Sequence, residues 1–149
     1  MIESIDSASA RFLSGEPDSM SFCTAINCMD GRTQLPVNDW CRTHFNVDYV
    51  DTITEPAPPA LMADPTNAAA IDSILRRVDI SVNQHGSKGI AIVAHTDCAG
   101  DPADDDQRIV HLCRAVKVMR KTYPDLEVTG LWLGEDWQVE PVACPMSAP

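Results

Sequence analysis

From Lys88 to Ala94 the chain reads Lys-Gly-Ile-Ala-Ile-Val-Ala, apolar at every position after the lysine. A strand with one face in water alternates apolar and polar residues, so a strand apolar on both faces needs cover on both sides. That is the pattern of a central strand in a parallel sheet sandwiched by helices. The run is far shorter than the roughly 18 to 20 residues that cross a bilayer. The chain is therefore expected to be α/β.

The flanking sequence supplies the other layers. Ser21 to Cys28 and Val47 to Ile53 read as strands, with a short helix from Pro36 to Phe45 between them. The proline-rich stretch Glu55-Pro56-Ala57-Pro58-Pro59 is expected to be an extended loop. Beyond it, Thr66 can cap a helix whose Ile71, Ile74, Leu75, Val78 and Val82 share one face, ended by Gly86. Asp104, Asp105 and Asp106 open a further helix at its electropositive end. Its buried face is marked by Ile109, Leu112, Cys113, Val116 and Met119, and Arg120 and Lys121 favour its far end. Leu126 to Leu133 is a fourth strand, and Gly134-Glu135-Asp136 turns it into a short antiparallel partner over Trp137 to Val142. Alternating strands and helices imply right-handed crossovers and a mainly parallel sheet with helices on both faces.

The 149 residues suit one domain spanning 1–149, with an N-terminal arm over 1–20 and a loose tail over 143–149. Within the arm, residues 3 to 13 are expected to form a short amphipathic helix. Eleven Lys plus Arg against 22 Asp plus Glu give a net charge of −11, which repels nucleic acid and anionic membrane surfaces. The opening Met1 to Asp6 has neither a basic stretch nor an apolar core of a secretory signal, so a cytoplasmic location is expected. Six cysteines are too sparse for a disulfide scaffold, and in a reducing compartment they serve as core residues, metal ligands or nucleophiles.

Two clusters stand at the carboxyl ends of expected strands, where sites form in such sheets. They are Cys28-Met29-Asp30-Gly31-Arg32 and His95-Thr96-Asp97-Cys98-Ala99-Gly100. If the two strands are neighbours, two thiolates and one imidazole converge as in a tetrahedral zinc site with one open position. Taken singly, each cluster is also compatible with inert core cysteine and an ordinary hydrogen-bonded histidine. Cys23 lies too far along its strand to share a metal with Cys28 and is expected to pack in the core, as are Cys41 and Cys113, whereas Cys144 is expected to be exposed. Gln34 and Trp40 could line a cleft or simply pack. Asp101 and the run from Asp104 to Asp106 are expected to cap a helix. His44, His85 and Asp97 are conceivable proton carriers.

The pair of patterns Cys-x-Asp-x-Arg and His-x-x-Cys-x-Gly resembles the β-class carbonic anhydrases. The segment Val128 to Gly134 with its short following strand is similar to that family's closing hairpin, and the likeness covers residues 21 to 142. The resemblance implies a sheet in the order 2-1-3-4 with a short antiparallel edge strand, which makes strands 1 and 3 adjacent. It implies one Zn²⁺ per chain on Cys28, His95 and Cys98. It also implies that Asp30 accepts a hydrogen bond from water on the zinc, or takes the fourth zinc position itself, and that Arg32 holds Asp30 in place. The expected activity is reversible hydration of carbon dioxide to bicarbonate. Carbonyl sulfide and carbon disulfide are alternative linear substrates, and a non-catalytic zinc-binding or assembly module is a further alternative. A homodimer or higher homo-oligomer is also implied. Glu55-Pro56-Ala57-Pro58-Pro59 stands where the family carries an Arg-Asn-Ala-type segment, and the family's long N-terminal helices are reduced to one short expected helix, so the resemblance is to a short, divergent member.

Overall fold

The structure, a computed structural model, describes residues 20–145. The expected helix over 3–13 and the last four residues of the tail lie outside the described residues. Five strands form one sheet: β1 (Phe22–Cys28), β2 (Tyr49–Glu55), β3 (Gly89–His95), β4 (Glu127–Leu133) and β5 (Val139–Val142). Their order is β2-β1-β3-β4-β5, parallel throughout except for antiparallel β4 and β5. This is the expected order, with the short edge strand where the hairpin reading placed it.

Every residue of β3 is buried, and its alternate side chains feed two cores. Ile90, Ile92 and Ala94 pack with Ile26, Ile74, Val78, Leu112, Val116 and Met119 on one face of the sheet. Ala91 and Val93 join Cys23, Val37, Cys41, Phe45 and Leu131 on the other. The second face is covered by helix α1 (Gln34–Phe45), the first by α2 (Pro58–Ala63), α3 (Ala68–His85) and α4 (Asp105–Thr122). Asp104 caps α4, accepting from Gln107 N at 2.8 Å, and Asp105 and Asp106 fill its first turn. Acidic side chains there offset the exposed N–H groups and the positive end of the helix.

Three expectations are corrected. The proline-rich stretch is not wholly extended, because Pro58 and Pro59 begin the short helix α2. Proline at the first two positions loses only N–H groups that have no intrahelical acceptor, and its fixed φ suits a helix start. Thr66 does not cap α3. Its N–H and hydroxyl both donate to Asp64 Oδ1, at 3.0 and 2.7 Å, and Asn67 occupies the cap position instead. Cys144 is buried and disulfide-bonded to Cys113, so the start of the tail is tied to α4. Arg120 reinforces that tie by donating from Nη1 to Cys144 O at 3.0 Å. Spacing along the sequence could not show that β5 returns the chain over the apolar face of α4.

Gly89 opens β3 directly beneath the Phe45 ring, and a methyl group there would overlap that ring. Trp40 and His44 pin Phe45 edge-on, with centroids 6.3 and 4.8 Å away, so the ring has little room to yield. Gly89→Ala should therefore lower stability by about 1–3 kcal/mol, read from the denaturant midpoint. An unchanged midpoint would mean that the ring moves freely.

Candidate metal centre

β1 and β3 are adjacent and parallel, with Thr24, Ala25 and Ile26 opposite Ile90, Ala91 and Ile92. Their last residues, Cys28 and His95, therefore emerge at the same carboxyl end of the sheet. The turn after β3 brings Cys98 back toward them, through a left-handed Asp97 at φ 52°. The three candidate ligand atoms lie within 4.8 Å of one another, all in buried residues. The two sulfurs are 3.9 Å apart, against about 3.8 Å for two thiolates on a tetrahedral zinc with 2.3 Å bonds.

The imidazole is oriented for such a role. His95 Nδ1 faces the carbonyl of Thr96 at 2.6 Å, an acceptor only, so Nδ1 carries the proton and Nε2 keeps its lone pair. Nε2 is buried and has no hydrogen-bond partner of ordinary geometry among the described residues. A buried lone pair without a donor is costly and calls for one. Two sulfurs and an aimed imidazole nitrogen are the donor set of an open zinc site, so these residues fit the metal.

The charge balance agrees. The Cys28 thiol is drawn down to about 4, chiefly by the hydrogen bond from Cys98, against the opposing effect of burial. His95 and the N–H groups of Ala57 and Asp30 add to the fall. Cys98 is pushed up because it keeps the proton it lends to Cys28, and burial adds to this. Burial acts to lower His95, but the nearby Cys28 sulfur, the Thr96 carbonyl and the Asp30 charge together raise it.

Asp30 and Arg32 flank this cluster. Arg32 donates to Asp30 through its backbone N–H at 2.9 Å, Nε at 3.1 Å and Nη2 at 2.7 Å. These bonds, the side-chain ones first, hold the Asp30 carboxyl at about 2. In this arrangement the carboxylate is paired with Arg32 through both oxygens. Arg32 also reaches Asp97, with Nη1 3.2 Å from Oδ2 and Nη2 3.2 Å from the carbonyl. Gln34 Nε2 donates to the carbonyls of Cys28 at 2.7 Å and Asp30 at 3.1 Å, and Thr33 Oγ1 donates to Asp30 O at 2.8 Å.

The other candidates separate clearly. His44 pairs with Glu127 and His85 with Asp51, and His85 stacks on Phe22 where β1 begins, at the edge of the sheet opposite the cluster. Asp97 is beside the cluster through Arg32. Cys23 and Cys41 are fully buried, as core packing requires. Asp101, expected as a helix cap, instead accepts from Ala103 N at 3.0 Å and pairs with His111 Nδ1 at 2.8 Å. A small apolar recess between His95, Cys98 and the side chains of Ala57, Ala60 and Ala94 adjoins the cluster. Sequence reasoning missed Thr33 and the α2 wall of this recess, since neither carries a distinctive pattern.

The family model described as "Putative carbonic anhydrase" matches residues 18–143. The chain belongs to this carbonic anhydrase family. No curated protein sequence matches it. Solved β-carbonic anhydrases share the fold at low identity. One of the two described as tetrameric from Sordaria macrospora is 14% identical with a TM-score of 0.57, covering 91% of this chain and 87% of that one. The carbonic anhydrase from Glaciozyma antarctica is 14% identical with a TM-score of 0.54, covering 95% and 97%. CafA of Aspergillus fumigatus is 15% identical with a TM-score of 0.51, covering 94% and 82%. The chain is thus a divergent β-carbonic anhydrase family member with the α/β fold expected of it.

Gln34 fastens the loop between Cys28 and Asp30 from the first turn of α1. Gln34→Ala, which leaves two carbonyls to water, should cost about 1 kcal/mol in the denaturant midpoint. A variant as stable as the parent would show that Thr33 alone suffices.

Proposed function

We propose that this chain binds one zinc ion through Cys28, His95 and Cys98 and catalyses the reversible hydration of carbon dioxide to bicarbonate. The observation that carries this reading is the convergence of Cys28, His95 and Cys98, whose candidate ligand atoms lie within 4.8 Å of one another with the two sulfurs 3.9 Å apart. Family membership supports the same chemistry. When bound, the ion supplies the Lewis acidity that makes water a nucleophile near neutral pH.

The chain's own residues do the rest. Two thiolates neutralise a dication formally, which weakens its acidifying pull relative to a three-histidine site, so a neighbouring acceptor gains importance. Asp30 is ionised throughout the neutral range and accepts a hydrogen bond from the attacking water. Arg32 keeps it charged and aimed through the bidentate contact. In the forward direction the water oxygen bonds to the carbon of CO₂, one C=O π pair moves onto oxygen, and one proton passes to solvent. We also propose that the chain forms a homo-oligomer. Met29 and Leu35 are exposed next to the cluster, 62% and 77%, and the Sordaria macrospora enzymes are described as tetrameric.

On zinc-loaded protein followed by stopped-flow with a pH indicator, Asp30→Asn and Arg32→Ala should each keep one zinc per chain yet lose about 10²-fold or more in turnover. Full turnover in either variant removes the assisting role. By contrast, His95→Ala and Cys98→Ala should lose the metal and part of the stability together, because the binding energy is folding energy. Full zinc occupancy in either, measured by elemental analysis, contradicts the ligand assignment. A zinc-loaded parent inactive toward carbon dioxide, carbonyl sulfide and carbon disulfide overturns the enzymatic reading and leaves a zinc-binding module.

A further inference from the structure

We propose that Trp137 is the positioning residue for Arg32, and through it for Asp30. The inference rests on the role given to those two residues above. Trp137 sits in the turn between β4 and β5, and its indole reaches across to the neighbouring strand ends. Arg32 Cζ lies 4.3 Å from the centre of the indole ring. The same ring faces His95, with centroids 5.7 Å apart at 44°. One side chain from the far edge of the sheet thus touches both the dyad and a candidate ligand.

The geometry divides the work around the guanidinium. Its edges are taken by Asp30 and by Asp97, which fix it within its plane. Hydrogen bonds in that plane do not resist tilting out of it, and Arg32 is about half exposed, at 48%. The indole covers one face, where a cation is attracted by the ring's negative quadrupole. The backbone carries a matching sign of constraint. Trp137 has φ 56°, a left-handed conformation that bulky side chains adopt only when the surroundings enforce it. Two turn bonds enforce it here, Trp137 N to Gly134 O and Gln138 N to Asp136 Oδ1, both at 3.0 Å. Packing of the indole against the core beneath α1 holds the ring from behind.

The test uses the zinc-loaded full chain with Trp137→Leu and Trp137→Phe. Losing the aromatic face should lower kcat about two- to five-fold in the leucine variant, with KM little changed, whereas phenylalanine keeps most of the rate. A readout independent of turnover is the NMR signal of the Arg32 Nε–H group. It should be displaced by the indole ring current in the parent, stay partly displaced with phenylalanine, and lose the displacement with leucine. An Arg32 signal that is the same in parent and leucine variant overturns the proposal. So do equal losses of rate in both variants accompanied by equal losses of zinc or stability, which is the mark of a merely structural residue. If the parent itself does not hydrate carbon dioxide, the functional reading fails, while the Arg32 signal still decides whether Trp137 holds the guanidinium.

Discussion

Parallel pairing of β1 with β3 places Cys28 and His95 at one end of the sheet, and the candidate metal centre depends on that register. Side chains alternate along a strand, so a slip of β1 by one residue would turn Ile26 and Cys28 together to the other face and carry the sulfur away from the imidazole. The register is held by burial: Ile26, Ile90 and Ile92 are fully enclosed in the core under α3 and α4, while Ala25, Ala91 and Val93 fill the other side. Both faces are covered, so reversing any of these would press isoleucine into space sized for alanine on one side and leave a cavity on the other. The strength of the fold and the geometry of the cluster are therefore one constraint.

What the cluster lacks electrostatically follows from the same burial. Two thiols and an imidazole, enclosed together, settle for one thiolate whose sulfur is stabilised by the thiol beside it. Backbone N–H groups from Asp30 and Ala57 point at Cys28, and those of Gly100 and Asp101 at Cys98. Donors of this kind favour the anion on both sulfurs. They belong to the loops that carry the two cysteines and suit a cluster able to hold a cation. The Arg32 contact with Asp30 holds that carboxylate ionised beside the cluster.

Much of this was legible in the sequence, for physical reasons. The all-apolar run of β3 and the helical spacing in α3 and α4 report directly on burial, so the layers and the parallel sheet could be read. The meeting of Cys28, His95 and Cys98 was legible because thiol and imidazole types recur at strand ends, and the resemblance of the motif pair supplied the strand order that makes them neighbours. Other features depend on tertiary placement. Pro58 and Pro59 look like loop residues until the chain is seen to use them as a helix start. Cys144 looks exposed until β5 lays it against Cys113. Asp64 intercepts Thr66, and His111 finds Asp101 across a turn. Trp137 reads as the first residue of a strand, and only the turn's left-handed backbone aims its ring at Arg32. In each case the deciding contact joins segments whose spacing carries no periodic signal.

The central claim is that one zinc ion sits on Cys28, His95 and Cys98. X-ray absorption at the zinc edge of the loaded protein measures the donor set directly. The account predicts two sulfurs at about 2.3 Å and the remaining nitrogen or oxygen donors at about 2.0–2.1 Å, with one sulfur lost in Cys98→Ala. A first shell with no sulfur, or one unchanged by that substitution, would contradict it.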